Sequence, residues 1–484
     1  MYPADLPAVD VVVVGGGIAG LATAYELSRR GVPFVLLERG PRVGGVILSE
    51  DVDGYTIDGG PDALLTQKPE GIRLCEEIGL GDRLVSTKPP RLAYIQRDGR
   101  LHPLPAASVL GIPTRFGPFL QTRLFSWPGK MRMGAELFIP RRPDESDESI
   151  GSFMTRRFGA EAATYLAEPL LAGIHAGDVD HLSVQALFPR FVDAERTYGS
   201  LLRAFRHRPA AAPPTTASGK PKSMVDGAFK SLPGGLSEMV RALERVIGVE
   251  HLRTNTAVGA VTGRGPFEVR TTAGAVIAAR AVVLATPAFV TSELIREQDA
   301  DIARIAGSIN YASAATVAMA FHRDAVGHPL NGSGFVVPRV ERTNILAGSW
   351  LSSKWPNRAP DNRVLLRTFI GGARDPHALD RSDEELVRLS LAALTPLLGI
   401  AAAPLFTRIF RWERANAQHE VGHLTRLAAI DRALAGHPGL FVTGSGFRGT
   451  GIPDCVADGR ATAQAAAAWL ATQATLSPQP SALA

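Results

Sequence analysis

The sequence predicts an α/β fold in which one parallel sheet is assembled from stretches far apart in the chain. Three observations point to it. Residues 11–14 are four consecutive valines, followed by glycines at 15, 17 and 20 and a helical run. Residues 276–286 form a second apolar run that ends in VVLATP. Residues 440–458, LFVTGSGFRGTGIPDCVAD, repeat the order of strand, glycine turn and helix at the far end of the chain. β-Branched runs without charge suit strands covered on both faces, as in parallel sheets.

The N-terminal stretch carries the most chemistry. Gly15, Gly17 and Gly20 give G-x-G-x-x-G, and Ile18, Leu21, Ala22 and Tyr25 continue with helical spacing. Gly31 and Pro33 end that helix, Phe34 to Leu37 form the next strand, and Glu38 closes it. An acid about 20 residues after the glycines completes the dinucleotide fingerprint of a Rossmann-like unit. A pyrophosphate there would meet free N–H groups and the positive end of a helix dipole. Side chains at 15 and 17 would block it, and one at 20 would hold helix and strand apart. Glu38 suits two ribose hydroxyls and disfavours a 2′-phosphate, so NADP is not expected. A glycine-rich turn in an ordinary sheet is the plainer alternative, but it does not require the strand, the helix, the second strand and the acid together.

The remaining elements follow in order. Asp58-Gly59-Gly60-Pro61-Asp62 is a tight turn before a helical segment through Ile72 to Leu80. RLAYIQ and RLHPLP, within 91–105, read as two strands joined at Asp98-Gly99. A helix-rich block spans roughly 106–205. Residues 208–222 (RPAAAPPTTASGKPK) have the composition of a disordered loop. Sheet-like chain returns at Leu252 to Thr262, Phe267 to Thr272 and Val276 to Thr286, and again over about 305–412. The helix Asp383 to Leu398 interrupts the last region. Leu440 to Val442 form a strand, and a helix begins near Pro453, where Pro at a first helical position is favourable.

Composition bounds the function. The chain of 484 residues is 45% hydrophobic and carries a net charge of +5. That length suits two or three domains. No Lys/Arg block argues for nucleic acid, so the charge reads as attraction for acidic substrates or anionic lipid, or as solubility. Two cysteines, Cys75 and Cys455, imply no disulfide framework and suit a reducing compartment. The N-terminus lacks a basic n-region, so no signal peptide is expected. The longest uncharged run, Leu389 to Thr407, contains Pro396, Gly399 and Pro404 and reads as a helix end and a strand rather than a membrane span. No metal-ligand spacing stands out.

A second basic-glycine turn, Arg42-Val43-Gly44-Gly45, follows Glu38. It resembles the turn that wraps the FAD diphosphate in the amine oxidase, phytoene desaturase and protoporphyrinogen oxidase superfamily. The whole chain is similar to the oxygen-dependent protoporphyrinogen/coproporphyrinogen oxidases. The stretches that carry this are VVVVGGGIAGLATAYEL, ERGPRVGGVI, DGGPDALLTQKPEGIRLCEEIGL, EPLLAGIHAGDVDHLSVQALFP, SLPGGLSEMVRAL, SSKWPNRAP and GFRGTGIPDCV. The first and last are shared superfamily-wide, whereas the Ala-Gly-Asp segment with its downstream Leu-Ser and Phe-Pro is more specific to the porphyrinogen enzymes.

The resemblance implies a split Rossmann-like FAD-binding domain (1–85, 225–292 and 425–471), a β-sheet substrate domain (86–105 and 293–424) and a helical domain (106–224). Residues 472–484 would be a flexible tail. It implies non-covalent FAD on Gly15, Gly16, Gly17, Ile18, Ala19, Gly20, Glu38, Arg39, Arg42, Gly45 and Val46. The list continues with Gly60, Pro61, Asp62, Ala63, Val258, Trp412, Ile452, Pro453 and Asp454. Arg91 matches an arginine that pairs with a substrate propionate, and Gly173 a glycine whose carbonyl faces pyrrole N–H groups. Trp355 falls where relatives carry an aromatic against the macrocycle. Taken alone, Arg91 reads as a surface arginine, and Trp355 and Trp412 as core. His175 stands where relatives usually have Tyr or Phe, and a hydrogen-bonded buried histidine is preferred there to a proton acceptor. The family's Ile-Pro-Gln-Tyr appears as Ala-Asn-Ala-Gln-His, with Gln418 kept and His419 in the aromatic place.

The implied activity is six-electron oxidation of a porphyrinogen in haem biosynthesis, with oxygen as acceptor and peroxide formed. A flavin does the hard chemistry and the protein positions the substrate, so no acid–base triad is expected. Lys354, beside Trp355, is read as a cation for the extra carboxylates of coproporphyrinogen III, which is slightly preferred to protoporphyrinogen IX. Phe116, Phe119, Leu120, Leu124, Phe125 and Trp127, interspersed with Arg115, Arg123 and Lys130, suit a membrane surface or packing against the substrate domain. A cytoplasmic enzyme with peripheral attachment is expected, with haem-pathway enzymes as further candidate partners. The rivals are an amine oxidase or carotenoid desaturase on the same scaffold, and a non-catalytic flavin-binding scaffold.

Overall fold

The computed structural model describes residues 9–105, 108–109, 112–113, 116–207 and 227–476. The loop expected over 208–222, residues 477–484 and Arg115 lie outside these.

The valine run forms the strand Val9–Val14, which pairs in parallel with Phe34–Leu37 on one side and with Val276–Leu284 on the other. Leu252–Arg253 and Leu440–Val442 add in parallel, and Phe267–Thr271 and Val258–Gly263 extend the sheet as antiparallel strands. The register places Val14 against both Leu37 and Leu284, and Leu284 against Val442. Four chain segments distant in sequence therefore end at one edge. The carboxyl ends of parallel strands are where such sheets bind ligands.

The helix Ile18–Arg29 is buried from Ala19 to Leu27, between the sheet and the long helix Ile452–Leu476. A Cβ on Gly459 would lie 2.3 Å from the Ala19 carbonyl oxygen, so a glycine there allows the two helices to touch. Thr23 Oγ1 donates to the Gly459 carbonyl at 3.0 Å across that contact. The helix to Leu476 also takes in 472–476, which had been assigned to the tail.

A second sheet has the order Phe406–Ala417, Tyr311–His322, Arg363–Gly371, Ala347–Trp350, Gly334–Val336, Ala93–Arg97, Arg100–Pro103. The hairpin at Asp98-Gly99 has positive φ at both residues, as its two-residue loop requires. Helix Asp383–Leu398 starts on a Ser382 cap and ends at a left-handed Gly399. The block expected to be helical from 106 begins instead with two short antiparallel strands, Ser108–Val109 and Ile112–Pro113. The single strand expected over 252–262 is two strands. They are separated at Asn255, where φ is +51° and the chain crosses over Gly40, its N–H donating to that carbonyl at 2.8 Å.

Buried charges bind the turn after a separate two-stranded sheet, Ser49–Val52 with Tyr55–Asp58, to the second sheet. Asp58 ends the strand Tyr55–Asp58, and its Oδ2 lies 2.9 Å from Arg358 Nη2, both side chains fully buried. Asp62 Oδ1 accepts from Arg367 Nη2 at 2.9 Å, and Asp62 Oδ2 from Lys354 Nζ at 2.7 Å and Trp355 Nε1 at 2.8 Å. Burial raises the Asp62 pKa, but Lys354 and Arg367 outweigh it and hold the carboxyl well below the usual carboxylate range. Removing one partner of a buried pair costs about 3–5 kcal/mol, because it leaves an uncompensated charge. Asp62→Asn should therefore lower unfolding free energy by about that much at neutral pH. A carboxyl depressed in the folded state stabilises fully above its unfolded value of about 3.9, and that contribution fades as pH falls toward the folded value. The gap between wild type and Asp62→Asn, read by denaturant titration, should stay constant from about pH 8 to about pH 5 and shrink below about pH 4.

Candidate functional site

The edge where Val14, Leu37, Leu284 and Val442 end is built from glycine turns. Gly20 packs on the turn itself, since a Cβ there would lie 1.9 Å from the Gly15 carbonyl oxygen. Gly15 has φ +105°, and its Cβ would meet the Ala285 carbonyl oxygen at 2.7 Å. At Gly15 the neighbouring strand end already excludes a side chain, whatever the ligand requires. Gly17 differs: a Cβ there would meet nothing within 4 Å. Gly17 is also the N-cap of the helix Ile18–Arg29, which has no side-chain cap and no acid in its first turn. The open side of Gly17 therefore faces the uncapped N–H groups of that helix, an arrangement that fits a diphosphate.

Glu38 borders this cradle. Its Oε2 accepts from Gly16 N–H and its Oε1 from Gly40 N–H, each at 2.7 Å. A carboxylate has about four acceptor sites, so capacity for ribose hydroxyls remains. The Glu38 N–H donates to the Arg253 carbonyl and its own carbonyl accepts from Thr256 N–H, both at 2.8 Å, which brings the half-buried Val258 near the same end. Arg39 is exposed beside it. Arg42 donates to the carbonyls of Val43 and Ile47 at 3.1 Å and of Gly45 at 2.7 Å, so its guanidinium braces its own turn. Gly45 closes on Gly17, its Cβ position being 3.3 Å from Gly17 Cα, while Val46 is exposed.

The turn Gly60-Pro61-Asp62-Ala63 lies against the same segment, since a Cβ on Gly60 would be 1.9 Å from the Val46 carbonyl oxygen. Trp412, half-buried, donates its indole N–H to the Gly59 carbonyl at 2.9 Å and stacks on Phe410. Across the site, Ile452, Pro453 and Asp454 open the C-terminal helix. Asp454 is paired with Lys68 at 2.7 Å and packs on Gly449.

Two histidines brace the C-terminal glycine turn. His419 and His423 stack with centroids 3.8 Å apart and planes 12° from parallel. Their Nε2–H groups donate to the carbonyls of Ser445 at 2.9 Å and Phe447 at 2.8 Å. Burial, with His423 alongside, lowers the His419 pKa to about 3, so this pair is neutral at ordinary pH. Tyr311 reaches over from the second sheet and its hydroxyl accepts from Ala288 N–H at 2.9 Å.

The substrate-side residues do not all fall together. Arg91 is exposed, with Nε donating to the Thr87 carbonyl at 3.0 Å, and it leads into the strand Ala93–Arg97. Gly173 lies in the last turn of the helix Glu168–His175, and a Cβ there would approach Val336 at 3.1 Å. Val336 pairs with Ile95, so Arg91 and Gly173 flank neighbouring strands. Trp355 corrects the expectation placed on it: it is fully buried among Tyr55, Ile57 and Leu365, with its N–H on Asp62, and presents no surface to a macrocycle. Lys354 is likewise held by Asp62 rather than turned to a substrate edge. Arg358, Arg367 and Lys68 were missed. Arg367 had a legible signal, an arginine inside the otherwise apolar run VLLRTFI.

Comparison with known proteins agrees with this geometry. Residues 18–467 match the family described as flavin containing amine oxidoreductase. Coproporphyrinogen III oxidase of Bacillus subtilis (strain 168) is 34% identical over 469 residues, covering 95% of this chain and 98% of that protein. Chloroplastic protoporphyrinogen oxidase of Nicotiana tabacum is 29% identical over 470 residues, covering 93% and 83%. A solved structure from Exiguobacterium sp. 255-15, described as a protoporphyrinogen oxidase, has a TM-score of 0.83 at 32% identity, covering 96% of this chain and 100% of that one. With a glycine cradle that fits a dinucleotide and a match along nearly its whole length, this chain belongs to the flavin-containing amine oxidoreductases.

Proposed function

We propose that this flavin oxidoreductase oxidises a porphyrinogen to the porphyrin in haem biosynthesis, with FAD held non-covalently and oxygen as the electron acceptor. The observation that carries the reading is the match, over 95% of the chain, to a coproporphyrinogen III oxidase. Coproporphyrinogen III is the preferred substrate and protoporphyrinogen IX is also accepted. Lys354 no longer supports that preference, since Asp62 holds it; the relatives' names do.

FAD, when bound, accepts two electrons in each of three rounds. The chain's part is to hold and orient. Gly17 and the start of its helix receive the diphosphate, Glu38 the ribose, and the turns at 42–46 and 60–63 the middle of the cofactor. The helix starting at Ile452 approaches the ring, and Arg91 pairs with a propionate. Burial pushes the thiols of Cys75 and Cys455 up to about 12, which disfavours the thiolate form and supports non-covalent binding.

The helical block supports peripheral attachment to a membrane surface through part of the pattern expected from sequence, Leu120 and Trp127. Phe119, Leu124, Phe125 and Lys130 are buried, and Lys130 donates to the Leu120 carbonyl. Among the described residues of the block, the exposed apolar side chains include Leu120, Trp127, Met131, Phe138 and Ile174, with Phe138 82% exposed. Among the described residues no helix is long and apolar enough to cross a membrane. A cytoplasmic protein bound at such a surface, within reach of other haem-pathway enzymes, is the consistent picture.

The reading is tested by anaerobic mixing with coproporphyrinogen III, protoporphyrinogen IX and simple amines. Only the porphyrinogens should bleach the flavin, and bleaching by amines alone would replace this reading with amine oxidation. Acid precipitation should leave all flavin in the supernatant. Two glycine variants should separate cradle from scaffold. Gly17→Ala should melt like FAD-stripped wild type and retain little FAD, whereas Gly20→Ala, whose Cβ would strike the Gly15 carbonyl, should lose both fold and FAD. Arg91→Ala should keep its FAD but capture substrate roughly 10- to 100-fold more weakly, because a charge-assisted carboxylate pair contributes about 1.5–3 kcal/mol. Unchanged kcat/KM in that variant would remove Arg91 from the substrate site.

A further inference from the structure

The helix Glu168–His175 ends at Ala176, which is left-handed with φ +52°. Carbonyls in a last helical turn point past the helix end and have no intrahelical partner. A pyrrole N–H held by the Gly173 carbonyl would therefore lie off that end, beside His175. The floor there is made of small side chains, with Ala172, Ala176, Ala312 and Ala314 clustered against Leu346 and Phe369.

His175 is half-buried and is held from two sides. Gln418 Nε2 donates to its backbone carbonyl at 3.0 Å, and its Nδ1 lies 3.4 Å from Thr450 Oγ1 in the C-terminal glycine turn. Either group can donate in this contact; the tautomer with Nδ1–H directed at Thr450 leaves the lone pair on Nε2, which makes no hydrogen bond among the described residues. The charged and titratable groups around the ring are Lys68 and Asp454 at the start of the C-terminal helix, and His419 from the stacked pair. Burial, reinforced by Lys68 and opposed by Asp454, lowers the His175 imidazole to about 4, so it is neutral through the ordinary range.

We propose that His175 is the proton acceptor of this site, its Nε2 taking the pyrrole N–H proton of the oxidised substrate. The proposal rests on the porphyrinogen reading above. In each round a meso C–H bond breaks and both its electrons leave as hydride to the bound flavin, so positive charge builds on the tetrapyrrole in the same step that the proton leaves. In two of the rounds an adjoining pyrrole N–H bond breaks as the hydride leaves, its electron pair returns to the ring and the proton bonds to Nε2; in the other round the proton comes from the remaining meso carbon, so that four meso and two N–H hydrogens are lost in all. A weak base suffices because the proton leaves as that positive charge builds. Hydride and proton together are the two electrons and two protons that convert one oxygen to one peroxide. The relatives' aromatic at this position, as implied by the family resemblance, offers no such lone pair when it is Phe, so the proposal concerns this chain's own residue.

The test uses FAD-loaded wild type, His175→Gln and His175→Phe, mixed anaerobically with coproporphyrinogen III. Flavin reduction at neutral pH should slow about 100-fold in both variants, the scale of a lost proton acceptor. Affinity for the porphyrin product should stay within about twofold, a margin too small to alter a rate by that factor. A base works only when neutral, so the wild-type rate should fall on the acid side, toward half near pH 4, while the variants' profiles stay flat. Histidine-selective 15N NMR of the wild-type holoprotein gives a readout independent of turnover, the signal missing from His175→Gln being that of His175. It should report Nδ1 protonated and Nε2 bare, with a midpoint well below the ordinary histidine value. An Nε2–H tautomer, or variants with wild-type rates and pH profile, overturns the proposal. If the variants do not retain FAD, the wild-type tautomer decides alone. If no porphyrinogen reduces the wild-type flavin, the functional reading falls and this proposal with it, whatever the tautomer.

Discussion

The turn from Asp58 to Asp62 has to serve two sheets at once, and buried charge is what holds it there. Its two carboxylates meet Arg358, Arg367 and Lys354, all from the second sheet or the segment between its strands. Its carbonyls are engaged too, with Arg367 Nη1 donating to Asp58 at 2.5 Å and to Gly60 at 2.8 Å. An arginine forked between a carboxylate and two carbonyls fixes direction as well as distance. Apolar packing alone would let this turn slide by fractions of an ångström. Here sliding would strand charges away from water. The same turn lies against Val46 and carries Trp412 on Gly59, so the turn at 42–46 and the second sheet are positioned by one cluster.

Backbone approach does the corresponding work within the nucleotide sheet. Gly20 on Gly15, Gly60 on Val46 and Gly459 on Ala19 are each closer than any Cβ permits. They join the first 60 residues to one another and to the last 30, roughly counted, so the sheet is complete only when both ends of the chain have arrived. Such long-range pairing must overcome loop-closure entropy before it is rewarded. Small residues and glycines along the helix Ile18–Arg29 let the late-arriving C-terminal helix dock without rearranging what is already packed.

Much of this was legible in the sequence, and the reasons differ by residue. The fingerprint, Glu38, the hairpin at Asp98-Gly99 and the helix Asp383–Leu398 were readable because each rests on local rules: φ > 0, capping, or strand periodicity. The break at Asn255 was not, because it is imposed by the chain crossing Gly40, a contact between distant segments. Trp355 and Lys354 were misread for the same reason. Their stretch was correctly singled out, but nothing local says that Asp62, nearly 300 residues earlier, claims both. Likewise Phe119, Leu124 and Phe125 carried an interfacial pattern that the helical core absorbed, while Met131 and Phe138 were left outside. Local chemistry identifies which residues are unusual, and only the tertiary fold assigns their partners.

The two helix starts that face the site show how similar sequence signals diverge. Both follow glycine turns, and both present the positive end of a helix dipole. The helix Ile18–Arg29 has no acid in its first turn, so its dipole is free to meet an anion. The helix Ile452–Leu476 has Asp454 there, which by itself would cancel much of the favourable field. Lys68 restores the balance by sitting on both oxygens of Asp454 at 2.7 Å. Its charge then contributes to keeping His175 neutral, just as burial and mutual repulsion keep His419 neutral a turn away. One helix start is thus arranged to hold a permanent anion. The other carries a compensated Lys68–Asp454 pair with unprotonated imidazoles around it, the environment that the proton acceptance proposed for His175 requires.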